Sequence, residues 1–135
     1  MGIWHFYHIY AGPYWQEAVK DHCDAILETD FQNAVDKIYI GLLGQEYLRN
    51  EIKSYIDSRG ISYEIIVEKE DGWEQETLNK LYEFSFENDG KVLYSHTKGS
   101  VNKSEHQDRW RQGMIDVNVK NWKINILRLD EYDAV

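Results

Sequence analysis

Runs of apolar residues alternate along this chain with stretches in which apolar residues recur every three or four positions. The runs predict strands at residues 3–10, 37–43, 62–67 and 91–96, and the periodic stretches predict helices at 14–28, 46–58 and 74–87. Helical patterns also surround Trp110, Met114 and Val117 and cover residues 122–127, and residues 132–135 resemble the beginning of another strand. Helix-length connections and continuous apolar strands predict an α/β fold, a three-layer Rossmann-like sandwich with a mainly parallel sheet.

The helical periodicity also predicts which side chains face the sheet. The inward stripe of each of the first three helices is defined by apolar residues at intervals of three or four. These stripes contain, in chain order, Trp15, Val19, His22, Cys23 and Ile26, then Leu48, Ile52, Tyr55 and Ile56, then Leu78, Leu81, Tyr82 and Ser85.

Composition narrows the classes of protein that the chain can belong to. Its 135 residues are enough for one domain, and 42% hydrophobic with 29% charged residues is a globular composition. A net charge of −9 argues against nucleic-acid binding, which needs a broad basic face. The single cysteine excludes an intramolecular disulfide, and no apolar run approaches the roughly 20 residues of a membrane span. We therefore expect a cytoplasmic protein.

Polar side chains follow two of the predicted strands where each strand ends. His8 and Tyr10 lie near the end of the first strand, and His96, Thr97 and the Lys98–Gly99 pair close the fourth. Ligands of open parallel sheets bind beyond the carboxyl ends of the strands, so these residues are candidates for ligand binding. For His8 the alternative, which the sequence favours, is a structural hydrogen-bonding role. Residues 96–111 carry four basic and two acidic residues, whereas the rest of the chain has a formal charge of −11. This contrast predicts a compact anionic ligand such as a phosphate ester.

Three further candidates allow two interpretations each. Gly12 is either a simple strand-to-helix turn or a point where the backbone approaches a ligand closely. In one interpretation, Trp110 lies in the core and Arg111 is solvated or ion-paired. In the other, Arg109 or Arg111 turns toward the anion that Lys98 faces.

Several familiar site patterns are absent from the sequence. It contains neither the phosphate-binding pattern GxxxxGK[ST], nor the dinucleotide pattern GxGxxG, nor the nucleophile pattern GxSxG. No two of the five histidines have the spacing of a helical metal motif, so we expect no zinc site. Cys23 lies within an apolar helical face and is expected to be inert.

One set of motifs resembles a family of bacterial and viral glycosyltransferase-like proteins. The set comprises Val-Leu-Tyr-Ser-His-Thr-Lys-Gly at 92–99, Glu74 and Thr77-Leu78 before it, Trp110-Arg111 with Met114 after it, and Tyr-Asp-Ala-Val at 132–135. The resemblance implies the nucleotide-binding half of a GT-A glycosyltransferase, with a nucleotide-diphospho-sugar as ligand. In that fold an Asp-x-Asp after the fourth strand holds Mn²⁺ or Mg²⁺. Here Ser95-His96-Thr97-Lys98 stands in its place, so the metal requirement is left open.

The resemblance also bears on catalysis. A full transferase continues into an acceptor-binding half, so the 135 residues are expected to be a nucleotide-sugar-binding domain that is either a fragment lacking that half or a small stand-alone relative. Its exposed aromatic edge is expected to favour association with a second copy or another chain. If the chain is active by itself, the carboxylates Asp108, Glu105 and Glu74 are the candidate catalytic bases. The alternative is a non-catalytic binding or assembly module of the same fold.

Overall fold

The computed structural model describes residues 2–97 and 100–135. The strands are β1 (Gly2–Ala11), β2 (Lys37–Gly44), β3 (Glu64–Lys69) and β4 (Gly90–His96). The helices are α1 (Trp15–Glu28), α2 (Phe31–Ala34), α3 (Glu46–Ser58), α4 (Gln75–Glu87), α5 (Glu105–Ile115) and α6 (Trp122–Arg128), and a π-helical segment, Asp116–Lys120, joins the last two.

Within the described residues the sheet has four strands in the order β3-β2-β1-β4, and every neighbouring pair is parallel. The predicted α/β class and parallel sheet are therefore confirmed, and the arrangement is consistent with a Rossmann-like fold. The chain moves from β1 outward to β2 and β3, and then returns to add β4 on the other side of β1. This reversal makes the gap between β1 and β4 the topological switch point, where ligands of such sheets bind.

Helices cover both faces of the sheet, because alternate residues of β1 contact helices on opposite sides. His5 and Tyr7 contact His22 of α1, whereas Trp4 and Phe6 contact Phe84 of α4. The α1 face carries the main apolar core, to which α1, α2, α3 and the segment after α5 contribute. The predicted inward residues of α1 and α3 are buried or packed against this core.

The predicted inward stripe of α4 is wrong. Leu78, Tyr82 and Ser85 are exposed, and only Leu81 of that stripe is half-buried. The helix instead turns Thr77 and Phe84 toward the sheet, where Phe84 packs on the aromatic rings of the α4 face. A polar residue occupies the most buried position of α4. The apolar periodicity therefore predicted the wrong face of the helix, adjacent to the one that packs on the sheet.

Two other expectations differ from the structure. Residues 132–135 do not form a strand, because they pair with no strand of the described sheet and strand propensity alone does not hold an isolated segment extended. Trp110 is not a core residue, since it is 52% exposed, whereas the adjacent Arg111 is buried. Among the helices of the described residues, none is long and apolar enough to cross a membrane.

Candidate functional site

A cavity of about 660 Å³ opens at the carboxyl ends of β1 and β4, at the switch point of the sheet. Its volume lies within the range of about 300–1,000 Å³ that is usual for small-molecule sites. The ends of the two strands contribute His8, Tyr10, His96 and Thr97, the loop from β3 to α4 contributes residues 70–74, and residues 100–102 and Gln107 complete the lining.

Backbone and side-chain hydrogen bonds fasten the two strand ends to each other. The Thr97 N–H donates to the His8 carbonyl at 2.9 Å, and the Tyr10 N–H donates to Thr97 Oγ1 at 3.1 Å. His8 and His96 are also direct partners in the β1–β4 register. The floor of the cavity is therefore part of the rigid sheet, as expected for a preformed site.

His8 is held from one side by α4. Its Nδ1 lies 2.7 Å from Oγ1 of Thr77, and both residues are buried. Burial lowers the pKa of His8 below its ordinary value; the carboxylate of Glu74 acts in the opposite direction, and His96 lowers the pKa further. His8 is therefore neutral at pH 7, with one ring edge toward Thr77.

Glu74 brings a carboxylate to the same cavity. The Tyr94 hydroxyl donates to Glu74 Oε1 at 2.5 Å, and His96 Nδ1 lies 3.9 Å from the same oxygen. Burial, and then the hydrogen bond to Glu74, raises the pKa of Tyr94 well above its ordinary value, so the phenol stays protonated and donates. The arrangement orients a carboxylate that is able to accept a hydrogen bond or a proton from a bound hydroxyl group.

The loop from β3 to α4 forms a wall that the sequence interpretation missed. Glu70, Asp71 and Trp73 line the cavity, and Trp73 is 75% exposed. A large exposed ring beside carboxylates suits a ligand with both a flat face and hydroxyl groups. Their position in the sequence indicates a site, because they directly follow a strand of the sheet, as the predicted site residues do.

The two arginines of the predicted site lie elsewhere. The guanidinium of Arg111, a residue only 4% exposed, contacts Asp21 Oδ2 through Nη2 at 2.9 Å and Asp108 Oδ1 through Nη1 at 3.0 Å. Arg109 is exposed and lies 3.7 Å from Glu105. Among the described residues that line the cavity, neither arginine is present, and the carboxylates of Asp108 and Glu105 are also outside it.

Three other expectations concern the loops around the cavity. Gly12 approaches the chain itself, since a Cβ there would lie 2.2 Å from the Ser100 carbonyl oxygen, and the Tyr14 N–H donates to that same oxygen at 2.8 Å. Lys98 and Gly99 lie outside the described residues. Trp110 does not belong to the described lining of the cavity. The structure thus brings together His8, Tyr10, Glu74, His96 and Thr97 from the predicted set.

Three other titratable residues of the core, His5, His22 and Cys23, have structural positions. His5 and His22 are buried against each other on the α1 face, and burial raises the pKa of the Cys23 thiol to about 12. In residues 2–97 and 100–135, no group of three or more His, Cys, Asp or Glu side chains is arranged to hold a metal ion. The described end of β4 carries Ser95, His96 and Thr97 where the GT-A resemblance places its Asp-x-Asp, so the carboxylates of that motif are not found there.

Comparison with known proteins gives one match. A family described as a domain of unknown function, DUF8361, matches residues 6–122. No curated protein matches the chain, and no solved structure matches it. The matched region contains all four strands except the first residues of β1, and it includes the described lining of the cavity.

Proposed function

Since the chain belongs to the DUF8361 family, whose description assigns no activity, we propose from the site itself that the domain binds a nucleotide-diphospho-sugar and serves glycosyl transfer. The observation that carries the proposal is the cavity at the β1–β4 switch point, where an exposed indole, carboxylates and two histidines meet. Switch points of parallel sheets are the usual nucleotide-binding positions of this class of fold.

The wall of the cavity fits the neutral part of such a ligand. Trp73 offers an aromatic face on which a sugar or a base can stack, and Asp71 and Glu74 offer carboxylate oxygens that accept hydrogen bonds from hydroxyl groups. An aromatic face bordered by acceptors is the arrangement that a hydroxyl-rich ring requires. We therefore assign the sugar or ribose end of the ligand to the side of residues 70–74.

Charge assigns the opposite side to the diphosphate. Glu70 and Asp71 are acidic and repel phosphate oxygens from the loop side of the cavity, whereas His8, His96 and the Thr97 hydroxyl lie at the strand ends. Lys98 follows Thr97 directly in the sequence and supports the same assignment. The diphosphate is therefore expected at the end of β4, with the nucleoside and sugar groups directed toward α4.

Glu74 is the carboxylate that we propose as the catalytic base. The hydrogen bond from Tyr94 fixes Oε1, and the side chain of Glu74 lines the cavity. A carboxylate held in this way can accept the proton of an attacking hydroxyl group. Asp108 and Glu105, the other candidates from the sequence, interact with Arg111 and Arg109 and are assigned no catalytic role in this proposal.

The second candidate function is a non-catalytic binding module. It is favoured by the hydrogen bonds that already engage Glu74 Oε1 and His8 Nδ1 within the protein. Both candidates predict ligand binding, but only the first predicts transfer or hydrolysis of the sugar. Turnover therefore distinguishes them, and loss of turnover in Glu74→Gln with binding retained would identify the base.

Calorimetric titration of the full chain with nucleoside diphosphates and their sugars, with and without Mn²⁺, tests the proposal. We expect Trp73→Ala to weaken binding by about five- to tenfold, because a stacked aromatic contact contributes roughly 1 kcal/mol beyond its buried area. Tyr82→Ala is the matched control, since Tyr82 is an exposed aromatic residue of α4 outside the described cavity lining. Absence of binding across the panel, or equal losses in the two variants, would contradict the proposed function.

A further inference from the structure

The contact between Thr77 and His8 depends on a glycine in the middle of β2. Gly41 is the register partner of His8, and a Cβ at position 41 would lie 1.8 Å from Thr77 Oγ1. A glycine inside a strand often marks the close approach of another group. Because Gly41 has no side chain, Thr77 is fully buried at 0% exposure and contacts the imidazole of His8 on the neighbouring strand.

The hydrogen-bond requirements of Thr77 determine which nitrogen of His8 carries the proton. A hydroxyl group has one hydrogen to donate, and among the described residues the only hydrogen-bond partner of Thr77 Oγ1 is His8 Nδ1. If Nδ1 carried the proton, the buried hydroxyl hydrogen would have no acceptor, which costs about 1–3 kcal/mol. The satisfied arrangement has Thr77 donating to Nδ1, so the proton of the neutral ring lies on Nε2.

We propose that Thr77 is a positioning residue that holds His8 as its Nε2–H tautomer, so that His8 presents a neutral hydrogen-bond donor to an acceptor oxygen of the ligand. The ring lines the cavity, and the described residues offer Nε2 no partner. The part of this inference that concerns the ligand rests on the proposed function, whereas the tautomer does not.

The assignment restricts what His8 does in the site. An Nε2–H group donates to a phosphoryl or carbonyl oxygen and is unable to remove a proton from a hydroxyl group. Among the described residues, the titratable groups that act on His8 are Glu74, next to the start of α4, and His96 on β4. In the proposed function His8 and Glu74 therefore have separate roles: His8 donates a hydrogen bond to the ligand, and the carboxylate of Glu74 accepts a proton or a hydrogen bond from it.

Nitrogen-15 NMR of the histidine rings of the full chain tests the tautomer without any ligand. At pH 7.5 we expect a protonated Nε2 and an unprotonated Nδ1 for His8, assigned by the signals lost in His8→Gln. Thr77→Val removes the hydroxyl at nearly constant shape, so the unprotonated Nδ1 of His8 loses its hydrogen-bond donor and its nitrogen-15 signal should move, whereas Thr77→Ser should retain the original pattern. Unchanged signals of the other four histidines will show that each variant is folded. A protonated Nδ1 in the unmodified protein, or an unchanged His8 in Thr77→Val, would overturn the inference.

The same variants, titrated with UDP-glucose and GDP-mannose, test the role in binding. We expect Thr77→Val to bind roughly three- to tenfold more weakly, the loss of one neutral hydrogen bond, and Thr77→Ser to bind within about twofold of the unmodified protein. If the tautomer is as assigned and no nucleotide sugar binds, the proposed function fails and the role of Thr77 stands. If ligand binds to a protein with the opposite tautomer, the proposed function stands and the present inference fails.

Discussion

His5 and His8 lie three residues apart on β1, and their side chains lie on opposite faces of the sheet. On the α1 face, His5 Nδ1 donates to the Leu93 carbonyl at 3.0 Å, so the neutral ring must accept at Nε2, where His22 Nε2 donates at 2.9 Å. On the α4 face, the described residues bond His8 at Nδ1 alone. The first network uses both nitrogens within the protein, and the second leaves one nitrogen for the cavity.

This difference separates a structural network from a candidate site. The α1 face is closed around this pair: the two imidazole rings bond to each other, and the Ser95 hydroxyl lies 3.4 Å and 3.3 Å from the two Nε2 atoms. The α4 face is open, because polar groups there are oriented by one bond and also line a cavity. We therefore expect substitutions on the closed face to lower stability, and those on the open face to lower ligand binding.

The largest effect is expected for Arg111, which connects α5 to α1 on the closed face. Arg111→Met removes the cation that Asp21 and Asp108 share. Because these carboxylates are 20% and 29% exposed and Lys103 stays 3.9 Å from Asp108, we expect a loss of about 3 kcal/mol, the lower limit for a buried pair. Urea unfolding measures this loss. Nucleotide affinity of the folded fraction should stay the same, because Arg111 is not among the described residues that line the cavity.

Arg109→Met is the matched control for that experiment. Arg109 precedes Arg111 by two residues, but its side chain is exposed and its ion pair with Glu105 is long, so the change should cost less than about 0.5 kcal/mol. A stable Arg111→Met protein that has lost nucleotide binding would reverse the assignment of Arg111 to the closed face.

A second effect on the closed face is acid destabilisation. Burial lowers the pKa of His5 from 6.5 to about 4, and burial followed by the proximity of His5 lowers the pKa of His22 well below 6.5. The unfolded chain therefore takes up protons first as the pH falls below 6.5, so stability is complete above that pH and is lost below it. For His5 alone the loss is roughly 3 kcal/mol by pH 4.

The measurement is the free energy of unfolding between pH 7.5 and pH 5, above the range in which ordinary carboxylates titrate. His5 should contribute a loss of about 2 kcal/mol by pH 5, and His22 adds to the loss in the same direction. His8 adds to the loss in the same direction, because burial lowers its pKa as well. His106→Gln, which replaces an exposed histidine of α5, is the control for the loss of a histidine side chain as such. A flat profile over this range would show that the His5–His22 pair takes up protons in the folded state.

The sequence predicts most of the fold because parallel strands buried on both faces are continuous apolar runs. The boundaries of β2 and β4 lie within one residue of the prediction, and α1 buries the expected stripe. The orientation of α4 was not predictable from apolar periodicity, since its most buried residue is Thr77. Thr77 packs inward because Gly41, 36 positions earlier in the chain, has no side chain and leaves room for it.

The candidate site, like the orientation of α4, is only partly predictable from the sequence. The strand-end rule identifies His8, Tyr10, His96 and Thr97, because it depends only on strand direction. The same rule applies to Asp71 and Trp73, which follow β3 and line the same cavity. The role of Arg111 depends on Asp21, 90 residues away, and no local pattern contains that information.

The smallest effect on stability is expected at Tyr94, on the open face. Tyr94→Phe removes the hydroxyl that donates to Glu74, and since Glu74 is partly exposed, water replaces the bond and the cost is about 1 kcal/mol or less. Ligand affinity should fall further, by about three- to tenfold, because Glu74 loses the contact that orients it. Tyr39→Phe is the matched control, since Tyr39 also faces α4 but packs on Phe84 outside the described cavity lining. If both variants bind nucleotide sugars equally well, Tyr94 does not orient the carboxylate, and the α4 face is as closed as the α1 face.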